Sequence, residues 1–464
     1  MDAPATDTFL GERGFPQATR TLCDWQKVAL FAGVPLLLAW HSYIFGWRST
    51  VLWTNAVFTA FFLLATLYRA LVLDLSLRRA CELQVGANEL VPPGGQWPRY
   101  VVQVPLYRER AALPHLVKAL ARLDYPPDRL TIQLLVEDDD QETREALKDI
   151  TIAPPFVVVY VPVSQPRTKP KACNVGLAQA QGDFLVIFDA EDRPEPDQLK
   201  KAVIAFGRCP PDVACVQAKL NFYNSTRNLI TRCFTAEYAM WFDLCLPGLD
   251  YLRAPIPLGG TSNHFRLEVL RQLKGWDEYN VTEDCDLGLR LFAAGWRTRI
   301  LDSTTWEEAC PHLPAWVRQR SRWCKGYLQT YLVQTRRLFD LTHKLGIINS
   351  LHFHLLIGGS LVSQLLAPFY WLMVVLWLFW RPQMVGEFFP GPVFFMGALC
   401  LFVGNFIFVY SCVIASMRRG FGHVARYAPL MVIYWFIMSL AAWKGALQLI
   451  SRPHFWEKTA HHQH

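Results

Sequence analysis

Long apolar runs gathered at the two ends of the chain constrain it most. Residues 28–46 and 51–73 open it, and residues 360–380, 393–417 and 427–450 close it. Each approaches the ~20 residues needed to cross a hydrocarbon layer. His41 and Arg69 lie near run ends, where long polar side chains reach headgroups. Only residues 47–50 separate the first two runs, so they form a helical hairpin. Arg78 and Arg79 follow it, which places the next region on the cytoplasmic side by the positive-inside rule. A composition of 52% hydrophobic and 18% charged residues excludes an ordinary soluble enzyme. The net charge of +7 then points to inward-facing loops and lipid headgroups. No nucleic-acid-binding signature accompanies it, so no nucleic-acid partner is expected.

The expected layout is a cytoplasmic segment (1–27), a transmembrane hairpin (28–80), a cytoplasmic domain (81–330), interfacial helices (331–359), transmembrane helices (360–450) and a tail (451–464). Gly358-Gly359 is read as dividing an apolar stretch too long for one untilted span. Five spans would put the C-terminus outside, whereas Arg452, His454 and Lys458 suggest an inward one. One segment being re-entrant, or the long stretch crossing twice, would restore the parity. The polar start followed by an apolar run reads as a membrane anchor, not a secretory signal. The final His461-His462-Gln463-His464 is too short to read as a tag or metal site. Twelve cysteines without a CxxC pair read as reduced packing thiols.

Between the apolar ends, β-branched runs at 99–105, 131–136, 156–161 and 183–188 alternate with helical patterns such as 112–123 and 141–148. This predicts an α/β domain with a mostly parallel sheet covered on both faces. Ligands bind such sheets beyond the carboxyl ends of the strands.

Chemistry-bearing residues fall at those ends. Glu137-Asp138-Asp139-Asp140 ends one strand and Asp189-Ala190-Glu191-Asp192 another, while Thr282-Glu283-Asp284 opens a helix. Clustered acids repel unless a cation intervenes, and hard oxygen ligands suit Mg²⁺ or Mn²⁺. Solvated loop acids are the alternative for any single cluster. Arg167-Thr168-Lys169-Pro170-Lys171 precedes a small-residue helix, an arrangement that favours anions. Arg318-Gln319-Arg320-Ser321-Arg322-Trp323 stands just ahead of the last apolar segments. Guanidinium forks match phosphate oxygens and an indole face suits a sugar ring. Alone, that stretch also fits a basic helix docked on anionic lipid.

Together with Val104-Pro105-Leu106-Tyr107-Arg108-Glu109 and Lys171-Ala172-Cys173-Asn174, these motifs resemble the membrane-embedded glycosyltransferases of family 2, which include cellulose, chitin and hyaluronan synthases. The resemblance covers about residues 99–328 and the flanking helices. It implies a GT-A, Rossmann-like nucleotide-sugar domain on transmembrane α-helices. It further implies donor contacts from Tyr107, Glu109, Glu137, Asp138, Lys171, Asp189, Gln319 and Arg322. Asp138 is the firmer member of its pair, because the family carries two aspartates there. Asp189 and Glu191 resemble the family's DxD metal site, here DxE, with Asp192 an alternative to Glu191. Asn263, His264 and Trp323 are expected at the acceptor, and Asp284, beside Glu283, as general base. The function implied is inverting transfer from a UDP-sugar (UDP-glucose first, UDP-N-acetylglucosamine second) with Mg²⁺ or Mn²⁺. The product would be a β-linked polysaccharide passed across the inner (plasma) membrane. The alternative acceptor is a membrane lipid receiving a single β-sugar. Trp241, Trp276, Trp296 and Trp306 are read as packing, and any periplasmic export partner stays open.

Overall fold

The expected apolar runs do become neighbouring strands. In the computed structural model, which describes residues 9–10, 14–150, 152–381 and 383–455, they are β1 (Tyr100–Leu106), β2 (Leu130–Glu137), β3 (Phe156–Val161) and β4 (Phe184–Ile187). These four pair in parallel, with Tyr100 facing both Leu130 and Phe184. A further four, β5 (Arg193–Pro194), β6 (Val213–Phe222), β7 (Asn263–Arg266) and β8 (Arg297–Glu307), extend the sheet to the order β3-β2-β1-β4-β7-β6-β8-β5. β7 runs antiparallel between β4 and β6, so two parallel blocks flank a reversed strand. Alternation along β1 sends Val101 to one core and Val102 and Val104 to the other. The first is covered by α3 (Lys169–Gln179) through Ala172, Cys173 and Leu177. Helix Leu113–Leu120 covers the second. All twelve cysteines are free thiols, most of them buried.

Helices α1 (Asp24–Phe45) and α2 (Trp47–Arg78) form the opening hairpin. Residues 47–50, expected as its linker, are the first turn of α2. Gly46 alone makes the turn, at φ 84°, a conformation that glycine adopts without steric cost. The α/β domain is pressed against α2: a Cβ on Gly248 would stand 2.2 Å from the Val72 carbonyl oxygen. Gly248→Ala is therefore expected to lose about 1–3 kcal/mol by overpacking. Thermal unfolding in detergent checks this, and an unchanged midpoint would mean that the junction yields.

After the sheet, α6 (Leu313–Gln334) and a short helix Leu338–Leu345 lead to α7 (Ile347–Trp380) and α8 (Gly391–Arg418), both long and apolar enough to cross a membrane. Gly358-Gly359 does not divide α7. Both residues are helical, and they let neighbours approach, with the Tyr331 ring and the Ala65 Cβ each 3.0 Å from where a Cβ would stand. One apolar helix thus runs from Ile347 to Trp380 across the boundary expected at residues 359 and 360.

The last helix, α9 (Met431–Ser451), is long and apolar enough to cross, as expected. Yet the α/β domain is met at both of its ends. Tyr434 Oη donates to Glu237 of α4 (Leu229–Met240) at 2.7 Å, and Arg419, ahead of α9, pairs with Asp243. At the far end Lys325 Nζ donates to the Phe455 carbonyl (2.6 Å), and His454 meets the Tyr279 carbonyl at 3.1 Å. Between them α9 packs along α6, where a Cβ on Gly445 would stand 2.5 Å from the Ser321 carbonyl oxygen. Residues 456–464, with most of the expected tail, and residues 1–8 lie outside the described residues.

Candidate active site

Every strand that ends in acids ends at the same edge of the sheet, and the motifs converge there. Tyr107, Glu109, Glu137, Asp189, Glu191, Glu283, Asp284, Gln319, Arg322 and Trp323 all line one cavity of about 1590 Å³. It continues from the catalytic domain in between α2, α7 and α8.

α5 (Glu283–Ala293) presents Glu283 and Asp284 in its first turn, where the helix dipole favours carboxylates. α6 fixes the loop before them. Asn280 Nδ2 donates to Thr330 Oγ1 (2.9 Å), and Val281 N–H donates to Gln329 Oε1 (3.2 Å). A Cβ on Gly326 would overlap Thr282, so the helix carrying Gln319, Arg322 and Trp323 lies directly against the helix carrying the acids. Deeper in α5, Arg290 and Asp286 form an ion pair with both side chains fully buried. Gln334 adds a hydrogen bond to Asp286 (2.6 Å).

Lys169, at the start of α3, ties two acidic motifs together. Its Nζ pairs with Asp189 and donates to the Gly260 carbonyl (2.8 Å). Burial works against its charge, but Asp189 and then Glu283 outweigh that and raise its pKa. Burial also raises Glu283 and Asp284, and the mutual repulsion adds to the shift of Glu283.

The residues of Glu137-Asp138-Asp139-Asp140 separate. Glu137 faces the cavity and pairs with Lys171 (3.0 Å). Asp138, expected to be the firmer donor contact, is exposed and outside the lining. Asp139 pairs with Arg167 (2.6 Å), and Asp140 caps the next helix by accepting from the Thr143 N–H (3.2 Å). Lys171, expected at the diphosphate, is buried under Glu137 and donates to the Pro162 carbonyl (3.0 Å). Pointing inward along α3 removes it from the cavity, and Lys169, two residues earlier, lines it instead.

Asn263 and His264, expected at the acceptor, are strand residues in the sheet core. Asn263 Nδ2 donates to the Gly259 carbonyl (2.6 Å), which shapes the Gly259-Gly260 loop. His264 Nδ1 is 2.6 Å from Tyr100 Oη, and burial pushes its pKa down to about 3. Neither lines the cavity. Trp323 does, stacked on Tyr238 at 6.3 Å between centroids. Arg320 also lines the cavity, paired there with Glu237, its guanidinium 4.2 Å from the Phe234 ring centroid.

Asp192 is turned inward too, accepting from the Asp189 N–H (2.7 Å) and the Thr261 hydroxyl. Its fixed place in the loop leaves Glu191, with Asp189, on the cavity wall. Among the described residues no three His, Cys, Asp or Glu side chains converge into a metal cage. The Asp189 and Glu191 carboxylates are of the type that suits a hard divalent ion which also takes phosphate oxygens. Sequence reasoning missed Glu307 at the end of β8, which lines the same cavity. Burial, then Asp192, Glu191 and Asp189, raise its pKa well above the carboxylate range. Its signal was available, since Glu307-Glu308 ends a strand as the other acid clusters do. Trp241, read as packing, also lines the cavity.

Comparison with known proteins accords with this geometry. The family model described as glycosyl transferase family group 2 matches residues 184–443, from β4 through α9. A probable glycosyltransferase, YdaM of Bacillus subtilis (strain 168), is 26% identical over 259 residues, 55% of this chain and 61% of that protein. Probable glucomannan 4-beta-mannosyltransferase 1 of Arabidopsis thaliana is 29% identical over 239 residues, 50% of this chain and 43% of its own length. The chain thus spans about half the length of the curated relatives it matches. Among solved structures, the mannosyltransferase PcManGT from Pyrobaculum calidifontis, in complex with GDP-Man and Mn2+, covers 86% of this chain and 99% of its own. It has a TM-score of 0.54 at 18% identity, which shows a shared GT-A fold. With that fold and a family match over more than half its length, the chain is a glycosyltransferase of family group 2.

Proposed function

We propose that the protein transfers a hexose, with inversion, from a nucleoside-diphosphate sugar to the hydroxyl of a membrane lipid. The observation that carries this reading is the continuity of the acidic cleft with a cavity between apolar helices. Asp284 takes the acceptor proton as its oxygen attacks the anomeric carbon. The bond from that carbon to the diphosphate oxygen breaks on the opposite face, so an α-linked donor gives a β-linked product. Lys169 and Arg322 offset the charge left on the departing diphosphate. Asp189 and Glu191 would hold Mg²⁺ or Mn²⁺, which when bound neutralises diphosphate charge. Tyr107, 36% exposed, offers a stacking face to the base, and Glu109 a nearby acceptor. Trp323 offers its face to the acceptor.

Why a lipid? Polar side chains of the membrane half are largely engaged with the protein itself. Asn405 Nδ2 donates to the Leu401 carbonyl (2.7 Å), Ser439 Oγ to the Trp435 carbonyl (3.2 Å), and Thr59 Oγ1 lies 3.2 Å from Tyr370 Oη. Farther out the wall is Trp377, Leu378, Val385, Phe389 and Phe394. Hydrocarbon fits such a lining better than a hydroxyl-rich chain does. A β-glycan polymer is the second reading, favoured by the likeness to glucomannan mannosyltransferases. In either case the catalytic domain lies on the cytoplasmic face of an inner or plasma membrane. α1, α2, α7 and α8 cross, and α9 lies along the interface. Four crossings return both termini to the catalytic side, as the basic tail requires.

Purified protein, supplied with UDP-glucose, UDP-N-acetylglucosamine or GDP-mannose, Mg²⁺ or Mn²⁺ and membrane lipid, tests this. A single chloroform-soluble glycolipid is expected alongside released nucleotide. A protease-resistant polymer would favour the second reading, and no release beyond hydrolysis would defeat both.

A further inference from the structure

Several inward-facing arginines are held by carboxylates. Arg290 has Asp286, Arg320 has Glu237 and Arg419 has Asp243. Arg69 lies within α2, about 14 Å of helix before its cytoplasmic end at Arg78. Among the described residues its guanidinium donates one hydrogen bond, to Ser360 Oγ of α7, and forms no ion pair. It lies 5.9 Å from the Phe408 ring centroid and faces the cavity. Ser360 Oγ donates its own hydrogen bond to the Leu356 carbonyl (2.5 Å), so its lone pairs are left for the arginine.

A guanidinium amid apolar helices is costly unless an anion compensates it. The remaining N–H groups form a fork suited to phosphate oxygens. Leu356, Leu361 and Phe408 supply apolar wall beside it. A phosphate held here would stand where the catalytic cleft passes into the membrane half, with room for acyl chains beyond. We propose that Arg69, with Ser360 orienting it, binds the phosphate of a phosphate-bearing lipid at this junction. This rests on reading the cavity as the acceptor's route, and it makes the acceptor or its lipid neighbour a phospholipid.

The full chain in neutral detergent, titrated by native mass spectrometry with phosphatidylglycerol or with diacylglycerol of the same acyl chains, tests it. Wild type is expected to bind phosphatidylglycerol about tenfold or more tightly than diacylglycerol, Arg69→Gln to lose that preference, and Arg69→Lys to keep part of it. Equal binding of the two lipids by wild type, a measurement that needs no variant, would overturn the proposal. So would an Arg69→Gln protein that keeps the preference. Glycerol phosphate is the third probe. If it displaces phosphatidylglycerol at equal concentration, the site serves soluble phosphate and the lipid assignment fails. Donor-nucleotide binding, followed in the same samples, is expected to be the same in wild type and Arg69→Gln. A failed lipid preference with nucleotide binding intact therefore leaves sugar transfer standing, whereas absent nucleotide binding in wild type counts against transfer itself.

Discussion

Replacing Asp284 with asparagine is expected to lower sugar transfer about 10²–10⁴-fold, the usual contribution of a general base. Donor binding should persist, because the amide keeps the side chain's shape and can still accept from the Cys285 N–H, now 2.8 Å from Asp284 Oδ1. The pH profile carries the same information. Burial raises the pKa of Asp284, so its basic form is lost at a higher pH than for an exposed aspartate. Transfer should therefore rise with pH along a limb above the ordinary carboxylate value of about 3.9. In the asparagine variant that limb should vanish. A variant retaining more than about a tenth of wild-type transfer would remove Asp284 from proton abstraction.

The second large effect falls on stability. Arg290→Met leaves Asp286 buried without its countercharge, and such one-sided removals cost about 3–5 kcal/mol. Arg290 also donates to the Leu273 (3.1 Å) and Gly275 (2.9 Å) carbonyls, so two backbone acceptors are stranded as well. Since Asp286 is two residues from Asp284, the loss should reach the catalytic turn. Denaturant unfolding in detergent measures it. Replacing both partners, as Arg290→Met with Asp286→Leu, should recover part of the loss, because no unpaired charge remains. A single variant as stable as wild type would show that water reaches the pair.

Much of this architecture was legible along the chain. Runs of apolar residues marked the first four strands and the hairpin, because burial on both faces leaves no other composition. β7 was not legible as a strand. Asn263 and His264 are polar, and within the sheet each has one side-chain nitrogen paired, with the Gly259 carbonyl and with Tyr100 respectively. The clustering of Glu137, Asp189, Glu283 and Asp284 could be anticipated from their places at element ends, and that of Arg322, inside α6, from its motif. Which of two adjacent residues faces the cavity could not. Lys169 and Lys171 differ by two positions on one helix, and the difference sends one to Asp189 and the other under Glu137. Asp138 and Glu137 were likewise decided by strand register, not by residue type. The two glycines in α7 serve close helix packing, which uses the same residue as a helix break does.

One measurement bears most directly on whether the DxE acids, Lys169 and Asp284 form a single nucleotide-sugar cleft. Calorimetric titration of UDP and GDP into the full chain should show binding that strengthens with Mn²⁺ or Mg²⁺. Asp189→Asn should abolish the metal-dependent part, while Asp284→Asn should leave it intact. Binding that ignores the metal in wild type, or metal dependence that survives loss of the Asp189 carboxylate, would contradict the cleft.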